Sequence, residues 1–129
     1  MYFPLLKTVT GIGDILALVI TLETGDIARF EGPGNYASYC RCVESKRTSN
    51  GKRKGENNKK NGNKYLSWAY VEAANFAIRH NPKAQQFYQR KKAKTNQIVA
   101  LKALAHKIAR ACYCMMEKQQ PFDQDRLFG

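Results

Sequence analysis

The sequence predicts a mainly α fold: a small helical domain that opens with a helix-hairpin-helix-like motif and carries one long basic loop. Three observations predict it. Apolar residues recur at helical spacing around residues 14–24, 65–80 and 95–117. No stretch alternates apolar and polar residues as a half-buried strand does, a weak signal at Val43 apart. Between the first and second helical regions, segment 44–63 has no hydrophobic side chain at all. The chain has 129 residues, of which 43% are hydrophobic, and that suits one domain with a real core. We read residues 1–117 as this domain, 44–63 as its flexible loop, and 118–129 as a polar tail that frays around Pro121.

Each element has a local cause. Thr8-Val9-Thr10-Gly11-Ile12-Gly13 is a glycine-rich turn, with Leu5, Leu6 and Val9 assigned to a helix before it. Asp14 is placed to cap the next helix, and Gly25 to supply the positive φ that ends it. Residues 14–24 are apolar nearly all round, so this helix is expected to be buried. Residues 26–30 read as a short helical turn, broken by Glu31-Gly32-Pro33-Gly34-Asn35, and residues 36–40 as one more short helix. In 65–80, Leu66, Ala69, Ala73, Phe76 and Ala77 share a face that Trp68 broadens. Tyr65, Trp68 and Phe76 are assigned to the core rather than to base stacking. Asn81-Pro82 is an N-cap followed by proline at the first helical position, starting a helix that runs to about Lys92. Thr95 is placed to cap the last helix, whose stripe is Ile98, Leu101, Ala105, Ile108, Cys112 and Met115. That stripe is long and partly of small residues, so a homo-oligomer is expected.

The chain holds 22 Lys and Arg against 10 Asp and Glu, a formal net charge of +12. This balance favours polyanionic partners, nucleic acid first and an anionic membrane surface second. No apolar run reaches the length of a bilayer span, and the N-terminus lacks both the basic region and the cleavage site of a signal peptide. A cytoplasmic protein without a membrane partner is expected. The four cysteines form two Cys-x-Cys pairs, Cys40/Cys42 and Cys112/Cys114. A zinc site and reduced, partly buried thiols both fit; the second is preferred, because residues i and i+2 of a helix point about 200° apart. The ten acidic residues are scattered, with no spacing suited to two metal ions. His80 and His106 are read as surface residues.

Two features carry candidate chemistry. Gly11 and Gly13 permit close backbone approach, and the amides that start the following helix can hold a phosphate of duplex DNA without reading its sequence. An ordinary glycine-rich turn fits the same residues. The second feature is the loop. Lys46, Arg47, Lys52, Arg53, Lys54, Lys59, Lys60 and Lys64 put eight of the 22 basic residues into 19 positions, and counterion release would favour their binding to phosphates. Lys91, Lys92 and Lys94 can extend that surface. Within the loop, Arg47-Thr48-Ser49-Asn50-Gly51-Lys52 sets Ser49 between cations on flexible backbone. A serine so placed can attack a phosphodiester if a base or metal activates it, with the cations stabilising charge on phosphorus. Most loop serines are merely solvated, and the whole loop also reads as a solvated linker.

The order of the motifs is more specific than any one of them. Thr-Gly-Ile-Gly at 10–13, Gly-Asp-Ile-Ala-Arg-Phe at 25–30, Thr-Ser-Asn-Gly-Lys at 48–52 and Lys-Asn-Gly-Asn-Lys-Tyr-Leu at 60–66 come in turn. Glu-Ala-Ala-Asn-Phe-Ala at 72–77 and Lys-Ala-Leu-Ala-His-Lys at 102–107 follow. Together, over about 5–116, they resemble the C-terminal transposase domain of the insertion-sequence 110 family, the RNA-guided serine recombinases, also called the transposase family 20 domain. The resemblance implies a two-part enzyme for DNA recombination and transposition. An RNase-H-like N-terminal domain carries an acidic cluster that binds a divalent metal, Mg, while this domain supplies a serine that becomes covalently linked to DNA. A structured guide RNA pairs with donor and target DNA. The family's loop pattern Ser-Ser-Gly-Gly-Lys falls on 48–52, which puts the nucleophile at Ser49, with Thr48 in place of the first serine and Asn50 in place of the first glycine. Gly55 lies one position early, whereas Gly62-Asn63 matches without a shift. The implied contacts to double-stranded DNA are Gly11, Gly13, Arg47, Lys52, Arg53, Lys54, Lys59, Lys60 and Lys64.

The chain begins almost on the hairpin motif, so it is expected to be a C-terminal fragment that needs no cofactor of its own and performs no strand transfer alone. Two readings compete: a non-catalytic nucleic-acid-binding module with the loop as a tether, and a structural protein of a ribonucleoprotein.

Overall fold

The computed structural model describes residues 2–41 and 62–121. Within them the chain forms six α-helices and one 3₁₀ turn, and no strand. The helices are α1 (Tyr2–Leu6), α2 (Asp14–Thr24), α3 (Pro33–Tyr39), α4 (Lys64–His80), α5 (Pro82–Lys94) and α6 (Gln97–Lys118); the 3₁₀ turn, Ile27–Arg29, lies between α2 and α3. None of these helices is long and apolar enough to cross a membrane. The mainly α expectation holds. Val43, the basic residues 42–61 and the tail 122–129 lie outside the described residues.

Helix α6 is the centre of the packing. Ala100, Leu104, Ala105, Ile108, Ala109, Cys112, Met115 and Met116 along it are buried, and it packs against α1, α3, α4, α5 and the 3₁₀ turn. The chain's own helices thus cover most of the stripe expected to meet a second protomer. Ile98 at its start remains 71% exposed.

Local chemistry sets most boundaries. Asn81 ends α4 and its side chain accepts from the Lys83 and Ala84 amides, with Pro82 as the first residue of α5. Gly25 ends α2 at φ +67, and the Arg29 guanidinium donates to the Thr24 carbonyl at 3.0 and 2.9 Å, satisfying a terminal oxygen of that helix. Elsewhere the chain departs from expectation. The N-cap of α2 is Gly13, with no side-chain cap, and Asp14 is instead the first helical residue. Val9 lies in the turn, buried, rather than in α1. Helix α3 starts at Pro33, because proline is tolerated in a first turn that needs no amide donor. Asn96, not Thr95, caps α6, accepting from the Val99 amide at 3.0 Å, while the Thr95 hydroxyl donates back to the Lys91 carbonyl.

Burial of α2 is one-sided. Leu16, Ala17, Ile20 and Thr24 face inward, but Ile15, Leu18 and Leu22 form an exposed row on the opposite face, Ile15 at 72%. The core adds a polar element. The Tyr36 hydroxyl lies 2.8 Å from both Thr24 Oγ1 and the Tyr70 hydroxyl, with all three residues fully buried, and so links α2, α3 and α4. Burial, and then the Cys40 thiol, push the Tyr36 phenol well above the ordinary tyrosine range. Burial, and then Cys112, do the same to Tyr70.

Candidate nucleic-acid interface

The first candidate contact is the turn between α1 and α2. Gly11 adopts φ +104, and a Cβ there would overlap the Ala73 carbonyl oxygen and come within 3.2 Å of the Ala77 nitrogen. The close approach that Gly11 permits is therefore an approach to the chain's own α4 backbone. Gly13 differs. It is exposed, and a Cβ there would meet nothing within 4 Å. No side chain caps the α2 amides beyond it, so that helix start carries exposed donors and the positive end of the helix dipole. Asp14 stands in the same first turn, paired with Lys7 at 2.6 Å, and its carboxylate offsets part of that positive potential.

The second candidate contact is the root of the basic segment. The Asn63 amide donates to the Tyr39 carbonyl at 2.7 Å, so the chain leaves α3 and re-enters α4 at one place. The Asn63 side chain caps α4 through the Tyr65 and Leu66 amides. Its Nδ2 donates to Glu23 Oε1 at 2.9 Å and to the Tyr39 hydroxyl at 3.3 Å. On the outgoing side Arg41 has φ +59, and its side chain fills the space where a side chain at position 62 would stand. Arg29 sits over the Phe30 and Tyr39 rings at 4.6 and 4.9 Å, placing a fixed guanidinium beside this root.

Of the residues expected to contact DNA, Gly11, Gly13 and Lys64 are placed. Lys64 is the first residue of α4, exposed, with its Nζ 5.6 Å over the Tyr65 ring. Arg47, Lys52, Arg53, Lys54, Lys59, Lys60 and the candidate nucleophile Ser49 lie outside the described residues. The turn and the segment root are not adjacent. Gly11 meets α4 between Ala73 and Ala77 while Lys64 starts it, a separation of about 16 Å at 1.5 Å per residue.

Three aromatic residues assigned to the core prove exposed: Tyr65, Trp68 and Phe76, with Trp68 at 49%. Leu66, Ala69, Tyr70, Ala73, Ala74 and Ala77 cover the core face of α4 in their place. Phe76 stacks on His80, with the Arg79 guanidinium 5.4 Å from its centroid. Tyr39 and Asn63 are not foreseen from sequence as the root. An asparagine directly before a helical stretch is the available signal.

Among the described residues no three His, Cys, Asp or Glu side chains lie together as a metal site. Cys40 and Cys112 are buried and Cys114 is exposed, so the 112/114 pair diverges as its helical spacing requires.

A search among curated proteins returns no match. The family model described as Transposase IS116/IS110/IS902 family matches residues 4–89, from α1 into α5. The chain thus belongs to the IS116/IS110/IS902 transposase family, and its role lies in DNA transposition.

Proposed function

We propose that this chain is the DNA-handling C-terminal domain of a transposase that cuts and joins DNA through a serine. The observation that carries the reading is the closed root at Tyr39 and Asn63, where segment 40–62, with eight Lys and Arg, leaves and returns to the bundle at one point. Arg47, Lys52, Arg53, Lys54, Lys59, Lys60 and Lys64 neutralise phosphates of duplex DNA, and Ser49 among them is the nucleophile. Its Oγ bonds to phosphorus while the bond from phosphorus to one deoxyribose oxygen breaks, and that oxygen leaves with a proton. At the other contact, the α1–α2 turn acts as a helix-hairpin-helix element. Gly13 and the first amides of α2 meet a backbone phosphate, while Gly11 holds the turn on α4.

In the full-length enzyme a structured guide RNA, a second copy and a divalent metal held by an acidic domain complete the machinery. The test is Ser49→Ala in a full-length enzyme that carries this domain. Covalent DNA adducts should vanish while DNA affinity persists; recombination at the normal rate with alanine at 49 would overturn the serine assignment. Adduct-free binding by the unaltered enzyme would favour a non-catalytic nucleic-acid-binding module instead.

A further inference from the structure

Residues 73–116 contain nine Lys and Arg and not one Asp or Glu. They make up the second half of α4, all of α5 and nearly all of α6. On α5, Lys83, Arg90 and Lys94 are spaced i, i+7, i+11 and share a flank. Phe87 lies beside that flank, and Lys107 of α6 stands over its ring at 5.3 Å. The outer face of α6, with Lys107 and Arg110, is thereby continuous with the cationic flank of α5. Arg90, Lys94 and Arg110 are exposed and form no ion pair with a described residue. Burial first, and then the charges of Arg110 and Lys107, hold the His106 imidazole below its ordinary range.

A face that only keeps a protein soluble mixes both signs and gains from Glu–Lys pairs at i, i+4. Here Arg90, Lys91, Lys92 and Lys94 repel one another within a single helix end. A bound polyanion relieves that repulsion. The surface also lacks stacking platforms, because Tyr88 is buried beneath Lys92 and Phe87 is half-buried. It therefore suits the backbone of a duplex rather than unstacked bases. The family match ends at residue 89 and assigns nothing to Arg90, Lys94 or α6.

We propose that the outer surface of the α5–α6 hairpin is a second duplex-DNA contact that grips phosphates without reading bases. It uses other residues than the turn and the root of the basic segment, and it rests on the reading that this chain handles DNA. Asn63 and Asn81 bracket α4, so the segment root and the start of α5 lie about 27 Å apart.

The test uses the full 129-residue chain with Arg90→Gln, Lys94→Gln and Arg110→Gln combined, and duplexes of two unrelated sequences. Binding is titrated between about 50 and 200 mM salt. The slope of log affinity against log salt should fall in magnitude by about 3, at roughly 0.9 for each phosphate no longer neutralised, equally for both sequences. Lysine acylation footprinting of the unaltered chain should show Lys83 and Lys94, on that flank, protected by duplex. An unchanged slope, or lysines that stay reactive, overturns the proposal. So does a variant that loses affinity only for poly(dT) or an RNA hairpin. A parallel variant, Lys52→Gln, Arg53→Gln and Lys54→Gln, separates the two claims. If its slope falls while the helical variant's does not, the DNA reading stands and the second surface is refuted. If the unaltered chain binds no duplex, both fall.

Discussion

Gly11→Ala tests whether the turn between α1 and α2 is held by packing on α4. At φ +104 an L residue is in left-handed territory, which costs about 1–2 kcal/mol. The added Cβ would run into the Ala73 carbonyl and approach the Ala77 nitrogen to 3.2 Å. Both atoms belong to helix backbone and cannot rotate aside, so either the turn or α4 must shift. Overpacking of this kind costs about 1–3 kcal/mol. The sum, roughly 2–5 kcal/mol, is a large share of the 5–15 kcal/mol typical of a domain. At about 3 °C per kcal/mol for a chain of this size, Tm should fall by about 6–15 °C. Gly13→Ala is the internal control. Its Cβ meets nothing, and the poorer cap costs at most about 1 kcal/mol. Paired thermal melts followed by far-ultraviolet circular dichroism read both. A Gly11→Ala protein that melts with the unaltered chain, or two variants that fall equally, would show that packing on α4 does not hold the turn. Duplex affinity measured on the same pair should drop for Gly13→Ala while its fold stays intact.

Tyr36→Phe removes the central hydroxyl of the Thr24–Tyr36–Tyr70 chain and strips a partner from two buried groups; a loss of about 2–3 kcal/mol in urea unfolding is expected, and it should exceed that of Tyr70→Phe. Thr21 Oγ1 is buried without a partner, so Thr21→Val should leave stability unchanged or raise it by up to about 1 kcal/mol, and a clear loss would mean that the hydroxyl is satisfied. Asn63→Ala loses the α4 cap and the bond to Glu23, for about 1–2 kcal/mol in the same assay. Because Tyr36 and Tyr70 hold their protons more tightly folded than unfolded, stability is retained below about pH 10 and lost as pH rises beyond it, each tyrosine steepening the fall by about 1.4 kcal/mol per unit. Tyr70→Phe should make that alkaline slope shallower.

The elements that could be read from sequence were those written in local chemistry. Gly25 marks its boundary through backbone conformation, and Asn81-Pro82 through a side-chain cap and a fixed φ, and the structure has them there. Thr95 and Asn96 are adjacent residues that can both cap, and only the folded turn decides that Asn96 Oδ1 reaches Val99. Hydrophobicity named α2 as a helix but could not say that its Ile15, Leu18 and Leu22 face would stay uncovered, nor that Tyr70 rather than Trp68 would enter the core. Those outcomes depend on which neighbours arrive. The same limit applies to the interface. A run of cations in 46–64 is visible along the chain, whereas the hydrogen bond from Asn63 to Tyr39 joins residues 24 apart. The positive face of α5 and α6 was half legible. Lys91, Lys92 and Lys94 stand out as a run, but the join between the Lys94 flank and Arg110 comes from Lys107 packing over Phe87.

Peptide mapping of the adduct shows whether one hydroxyl in the cation-rich segment becomes bonded to DNA. A full-length enzyme carrying this domain is stalled on a nicked duplex, digested, and the DNA-linked peptide sequenced by mass spectrometry. A nucleotide on Ser49 is the expected product. A nucleotide on any other residue, or recombination that proceeds without a covalent adduct, would contradict it.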